Sequence, residues 1–356
     1  MLLALLIGTL NLASKVEKAE ASGTIYIRAD GSIDAPTPLI VTVDNVTYTL
    51  TGNINGSIVV ERDNVVVDGA GYTVQGTGNA TGIDLTGRKN TTIRNMEIRA
   101  FYYGIWLGFS SNNSVVGNNI TNNSWAGIDL CSSSSHNVFY DNNFIGNTLQ
   151  VYIEKPEYAN VWDDGYPSGG NYWSDYTGVD VKSGSYQNET GSESIGDTPY
   201  IIDANNTDHY PLVGMFQSYD VTYYTLPLVA HSCNVTVISN STVSNFVAPI
   251  WIEHPEVILI EFNVTEEQGT TGFCRVSFPT AMMNGTYHVF VNGTEVPYIL
   301  LPCSNADYSH LYFTYTHSTE GVIIILEFPS FLILPLFVIA TLLAVIVYRR
   351  RMEAEN

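Results

Sequence analysis

Positive charge is scarce in this chain. Lys and Arg number 14 in 356 residues, against 35 Asp and Glu, for a formal net charge of −21. Five of those basic residues sit near the ends, at Lys15, Lys18 and Arg349, Arg350 and Arg351, so the long middle is strongly acidic. Nucleic acid and anionic lipid surfaces require a basic patch, and this composition excludes nucleic acid as an expected partner. Charge of either sign is also sparse, at 14% of residues, which argues against adaptation to brine as the source of the acidity. The four cysteines, Cys131, Cys233, Cys274 and Cys303, lack any zinc or redox spacing. The seven histidines are dispersed, and only His231 and Cys233 lie close in sequence, so no clustered set of soft ligands for copper is visible.

Long apolar runs are confined to the two ends. Leu2 to Leu12 is apolar, and Ala19-Glu20-Ala21 offers a small-x-small cleavage site, which predicts a signal peptide over 1–21. Residues 329–348 carry no charge and are followed at once by three arginines. That length predicts one transmembrane helix anchoring the chain in the cell membrane, with a cytoplasmic tail at 349–356 and the bulk of the chain extracellular. Fourteen N-x-S/T sequons fall between the two ends. The expected glycosylation candidates are Asn45, Asn55, Asn79, Asn188, Asn205, Asn234, Asn240, Asn263, Asn284 and Asn292.

What is present in abundance is a repeat. Asn64, Asn90, Asn113 and Asn137 recur at intervals of 26, 23 and 24, each opening a short apolar strand. A second row has Gly69, Asn95, Asn118 and Asn142; a third reads GIDL at Gly82, GIWL at Gly104 and GIDL at Gly127, with LQVYI at 149–153 in the same place. Three short strands per period, parted by Asn and Gly, predict a stacked β-solenoid. One such turn cannot bury its own apolar face, so stacked turns must share a core. Alternation points Ile83, Leu85, Ile105, Leu107, Ile128 and Leu130 inward, whereas Val66 and Val67 compete for the inward position of the first strand. The Asn residues are expected at corners, where they tolerate left-handed backbone and bond locally.

The solenoid and an N-terminal capping segment are assigned to 22–154. Residues 155–216, rich in Gly, Tyr, Trp, Asp and Asn without period, are assigned as a loop-rich cap whose aromatics cover the last coil. Residues 217–328 carry short strands at turn-like spacing, which predict an immunoglobulin-like β-sandwich without the Cys…Trp…Cys pattern of antibody domains. An exterior setting permits disulfides, and Cys274 with Cys303 is the expected pair, both lying in this last module.

The ladder followed by GGNYWSDYTG and GSESIGD, at 191–197, resembles archaeal surface proteins with NosD-like right-handed β-helices; GTTGFCRVSFP, LPCSN and LYFTYTHS are similar to a sandwich module that follows such helices. The resemblance implies an all-β architecture: a short right-handed parallel β-helix with a cap, a sandwich and a membrane anchor. It also implies copper delivery as one possible role, and carbohydrate binding or cleavage as others.

For chemistry, glycosidases need two carboxylates facing one bond. The outward acidic candidates are Asp68, Asp84, Asp129 and Asp141, with Asp84 and Asp129 in equivalent places but parted by Trp106, about 10 Å at two strand spacings. For metal, Asp203, Asn205 and Asp208, with Asp175, Asp180 and Asp197 nearby in sequence, form the expected calcium set. For sugar stacking, the candidates are Tyr102, Tyr103, Trp106 and Trp125. The expected function is structural or adhesive, with glycan or envelope-polymer binding and no catalytic residue assigned. The alternatives are a polysaccharide lyase or hydrolase and copper or other metal handling.

Overall fold

The computed structural model describes residues 20–36, 39–225, 229–252, 257–317 and 319–326. All regular structure among them is β. The described chain divides into two compact units: one runs to Ser218 and takes in Ile238–Asn240, the other holds Tyr219–Val237 and the chain from Ser241 on.

The first unit is a parallel β-solenoid of about five turns, with three sheets. One sheet stacks Asn53–Asn55, Thr73–Gln75, Glu97–Arg99, Asn119–Thr121, Asn143–Ile145 and Tyr172–Trp173. The second stacks Ile25–Ile27, Ile58–Val60, Thr81–Asp84, Tyr103–Gly108, Ala126–Cys131 and Leu149–Ile153. The third stacks Thr47–Leu50, Val66–Asp68, Thr92–Arg94, Ser114–Val116 and Val138–Tyr140. Each sheet is in register through one apolar row: Val74, Ile98 and Ile120; Ile83, Ile105 and Ile128; Val67, Ile93 and Val115. These residues are fully buried, which settles the first strand in favour of Val67. The core row ends on aromatics: Phe139 stacks on Trp162 and Phe144 on Trp173, both at 4.3 Å between ring centroids, and Tyr200 stacks on Trp173 at the same distance.

The corners explain the asparagines. The residue at each corner is left-handed, and the next residue turns its side chain inward. In later coils that next residue is Asn: Asn112 precedes Asn113, Gly117 precedes Asn118, Asn122 precedes Asn123, His136 precedes Asn137, Asp141 precedes Asn142 and Gly146 precedes Asn147. In earlier coils it is apolar or Thr, as Val65, Thr91, Met96 and Phe101. Asn64, Asn90 and Asn95 are therefore one residue out of phase with the buried rows; they are the left-handed corner residues, at φ 60°, 54° and 55°. The third corner row, Phe101–Asn123–Asn147, has no counterpart among the repeats read from the sequence.

The Gly82, Gly104 and Gly127 row is as the repeat predicts, and its cause is steric. A Cβ on Gly82 would lie 2.5 Å from the Gly104 carbonyl oxygen, and one on Gly104 equally close to that of Gly127.

Two boundaries differ from the sequence reading. Sheet pairing continues past Glu154: Val161 bridges Val138, and Tyr172–Trp173 extends a sheet, so a partial further coil lies inside the segment assigned to the cap. At the other end, Glu20–Ser22 pairs in parallel with Asn53–Asn55, so Glu20 and Ala21, placed in the leader from sequence, join the solenoid. The rest of the expected signal peptide, the transmembrane segment 329–348 and the tail 349–356 lie outside the described residues. Among the described residues, no helix is long and apolar enough to cross a membrane.

The second unit has two five-stranded antiparallel sheets. One orders Met215–Thr225, Val229–Ser239, Thr271–Pro279, Tyr308–Thr316 and Tyr298–Leu300; the other orders Thr242–Ile252, Val257–Thr265, Thr319–Leu326, Tyr287–Val291 and Thr294–Val296. Val237, Val276 and Phe313 from the first sheet share one core with Phe262, Val289 and Ile324 from the second.

The expected Cys274–Cys303 disulfide is not formed. Cys274 pairs with Phe313, while the chain just before Cys303 is held at the other end of that strand by the Leu301 N–H donating to the His310 carbonyl. His310 pairs with Ser277, three residues from Cys274, or about 10 Å along a strand, well beyond disulfide reach. Reductant is expected to leave the melting temperature unchanged to within about 1 °C, and mass spectrometry of iodoacetamide-treated, unfolded protein should show four alkylated cysteines; a drop of several degrees on reduction would contradict this.

Candidate functional site

The outer face of the second sheet carries the aromatic candidates. The register sets Thr81, Tyr103, Ala126 and Leu149 in one row and Asp84, Trp106, Asp129 and Tyr152 in another. Tyr102 and Trp125 stand just before their strands, and their rings stack at 5.9 Å with planes 8° apart. Tyr103 packs edge-on against both Tyr102 and Trp106, at 4.7 Å in each case. Trp125 meets Tyr152 at 6.1 Å. Five aromatic rings thus form one continuous network, and Tyr102, Trp125 and Tyr152 are 38%, 36% and 38% exposed. All four sequence candidates belong to it. Tyr152 was missed, although LQVYI placed it in the row of Asp84, Trp106 and Asp129. Phe101, their sequence neighbour, is fully buried in the core.

Asp129 lies beneath this network. Its side chain is almost fully buried, and its Oδ1 has no hydrogen-bond partner. Burial, with a smaller contribution from the Glu154 carboxylate, pushes its carboxyl up to about 6. Its charge in turn raises the neighbouring Tyr103 phenol and Cys131 thiol, both already raised by burial. Asp84 is differently placed: its Oδ1 accepts from the Thr86 N–H and hydroxyl. Trp106 stands between Asp84 and Asp129 in the row, so no two carboxylates flank an open bond position as glycoside cleavage requires.

The calcium candidates are dispersed, and each is engaged within the protein. Asp175 accepts from Tyr200 and Gln150; Asp180 from the Glu193 and Ser194 N–H groups; Asp197 from the Val181 and Lys182 N–H groups. Asp203 accepts from the Asn205 N–H and the Asn206 amide, and the Asn205 amide donates to the Pro156 carbonyl.

Asp208 has a different role. The buried Asn rows run through the corners, each amide donating to the next side-chain oxygen: Asn113 to Asn137 to Asn160 to Asn206, and Asn118 to Asn142 to Asn171. The second row closes on Asp208, whose Oδ2 accepts from the Asn171 N–H and the Trp173 indole, both at 2.8 Å, and whose Oδ1 accepts from the Tyr210 N–H. Gly170 leaves room for this carboxylate, since a Cβ there would lie 1.9 Å from Oδ1. Burial nevertheless pushes the Asp208 carboxyl up to about 7. The NTDHYP segment thus anchors the cap to the end of an Asn ladder.

Among the described residues, no group of three or more His, Cys, Asp or Glu is placed to hold a metal ion. Of the sequon candidates, Asn263 is half-buried; Asn45, Asn55, Asn79, Asn188, Asn205, Asn234, Asn240, Asn284 and Asn292 are exposed.

Residues 17–178 match the model of a family described as NosD, periplasmic copper-binding protein. The match covers the solenoid, which is a NosD-like parallel β-helix, and accounts for less than half of the chain. Copper, which that description names, finds no fitting cluster of ligands among the described residues. No curated protein matches the chain. Among solved structures, the crystal structure of Dettilon tailspike protein is similar at 12% identity, covering 77% of this chain and 67% of that one, with a TM-score of 0.18, too low to argue from.

Proposed function

We propose that this is a surface-displayed scaffold whose solenoid binds a glycan or envelope polymer on the outer face of its second sheet. The observation that carries the reading is the half-exposed row of Tyr102, Trp125 and Tyr152, three rings on successive coils held by their neighbours. Sugar rings present apolar C–H faces that stack on aromatic planes, and rings fixed in advance lose little entropy on binding. Successive coils repeat at about 4.8 Å, so the row offers one aromatic plane after another along the solenoid axis, suited to a chain molecule. The acidic charge fits a partner that is neutral or cationic.

The display itself rests on the sequence. A signal peptide ending before Glu20 exports the body, the uncharged run 329–348 anchors it in the cell membrane, and the second unit serves as an immunoglobulin-like stalk. The NosD-like resemblance and the exposed sequons support an archaeal cell-surface setting with N-glycosylation.

Trp125→Ala is expected to weaken binding of the full chain to its glycan, found by screening an array of envelope polysaccharides, about tenfold, at unchanged melting temperature. Tyr186→Ala, which removes an 85% exposed ring from the cap, should leave binding as it was. Equal affinities for wild type and Trp125→Ala would overturn the assignment of this face.

A further inference from the structure

We propose that the aromatic face selects ligands bearing a cationic nitrogen, such as an amino sugar, and that Asp129 is the residue that selects them. The inference rests on the glycan reading above and names the substrate class for it.

Three observations converge. Asp129 is 2% exposed and its Oδ1 has no hydrogen-bond partner, so a carboxylate is kept in an apolar setting without the donors that normally accompany burial. The neighbours that cover it are aromatic: the register sets it between Trp106 on one side and Tyr152 on the other, with Tyr103 and Trp125 continuing the network. Among the described residues, no cation contributes to the shift of its carboxyl. The titratable groups facing it are Tyr152 from the next strand and Glu154 just after it, Cys131 from its own strand and Tyr103 from the previous one, and none of them is a cation. Ring faces attract cations through their quadrupole, and more strongly where water is excluded. A buried carboxylate behind such rings adds a full opposite charge in a medium of low dielectric. A neutral sugar meets only the stacking surface; an ammonium group meets both.

Nothing of this kind exists at Asp84, the equivalent position two coils earlier. There the Thr86 N–H and hydroxyl satisfy the carboxylate, and Val59 and Trp106 are its register neighbours. The selectivity is therefore assigned to one coil and not to the whole face.

The test uses two tetrasaccharides with the same backbone, fully N-trimethylated chitotetraose, a permanent cation, and N-acetylated chitotetraose, which is neutral. Titration calorimetry of the full chain at pH 8 should show the cationic form binding about tenfold tighter. Asp129→Asn should bring the two affinities to within about twofold by lowering that for the cationic oligomer alone and, since it removes a buried charge, should not lower the melting temperature at pH 8. Lowering the pH from 8 to 5 protonates Asp129 in the free protein, so affinity for the cationic oligomer should fall and that for the neutral one should not. Equal affinities for the two oligomers in wild type, or a preference that survives Asp129→Asn, overturn the inference while leaving the glycan reading intact. Binding of neither oligomer, together with a blank polysaccharide screen, overturns both.

Discussion

Replacing Asn142 by Ala should destabilise the solenoid by roughly 3–5 kcal/mol, a large effect for one side chain in a protein with so many similar ones. The Asn142 Oδ1 accepts from the Asn118 N–H and side-chain amide, both at 3.1 Å. Its own amide donates to the Val115 carbonyl at 2.7 Å, the Tyr140 carbonyl and the Asn171 Oδ1. Apart from the half-buried Tyr140, these partners are out of reach of water, and Asn142, Asn118 and Asn171 are each fully buried. Truncation takes a partner from two donors and two carbonyls at once. The Asn118 amide keeps the Ile93 carbonyl and the Tyr140 carbonyl keeps the Gly117 N–H. The cost therefore falls mainly on the Asn118 N–H and the Val115 carbonyl, at about 1–3 kcal/mol each before relaxation. Asn90→Ala supplies the contrast. Asn90 shares a bond with Asn64, but on the exposed side of the corner, and it is left-handed at φ 54°. Its loss should cost about 1 kcal/mol, mainly from placing Ala in that conformation. Denaturant unfolding of the full chain, followed by the fluorescence of buried Trp162 and Trp173, measures both; costs of similar size would show that the ladder is not what holds the coils.

The second large effect is a dependence of stability on pH with an unusual sign. The Asp208 carboxyl is raised in the folded protein from an ordinary 3.8 to about 7, because burial outweighs its three N–H donors. The folded state therefore holds a proton that the unfolded chain gives up between pH 4 and 7. Stability is greatest below about pH 4, falls as pH rises toward 7, and is flat beyond, with a span of at most about 4 kcal/mol from this group. Asp180, also raised to about 7 by burial, acts in the same direction. The melting temperature of the solenoid is thus expected to fall from pH 4.5 to 7.5. Asp129, raised to about 6, adds to that fall, so Asp208→Asn, which cannot titrate, should reduce it by roughly a third, leaving the shares of Asp180 and Asp129. A melting temperature that rises over the same window would mean that the N–H donors dominate and the carboxylate is ionised throughout.

Much of the architecture was legible because a solenoid writes its geometry into its period. Ile83, Ile105 and Ile128 stack because each repeat must bury the same face, and Gly82, Gly104 and Gly127 recur because each faces the next backbone at 2.5–2.7 Å. The phase of the Asn rows was not legible. Asn64 and Asn113 both precede apolar strands, but one is the left-handed corner residue and the other the buried one after it. Single-letter matching cannot tell two adjacent Asn roles apart. The pattern of a corner residue followed by Asn, as in Gly117-Asn118 and Asp141-Asn142, carries the distinction. In the second unit, Met215–Thr225 and Thr242–Ile252 escaped notice because their polar and apolar residues do not alternate cleanly.

The candidate site divides in the same way. Tyr102, Tyr103, Trp106 and Trp125 were visible as a run of aromatics beside GIWL, a pattern that fits packing under the entry loops as well as a binding face. The special position of Asp129 was not visible: its sequence context, GIDL, is identical to that of Asp84. Only the neighbours that the stacking brings in from other coils, Trp106 before it and Tyr152 after it, make one carboxylate buried and unbonded and the other half-exposed and satisfied. The calcium set failed to converge for a related reason. Asp175, Asp180, Asp197, Asp203 and Asp208 are close in sequence, but Asp180 and Asp197 pin the two sides of one loop pair and the others fix separate loops or a ladder end of a cap that has little other regular structure.

Fluorine NMR of the full chain labelled with 5-fluorotryptophan tests the central claim most directly. Titrated with the polysaccharides of the screen, the signals of Trp125 and Trp106, assigned by Phe replacement of each, should shift and saturate together. Those of Trp162 and Trp173, buried in the solenoid core, should stay in place. A bound polysaccharide that leaves Trp125 and Trp106 unmoved would contradict the account.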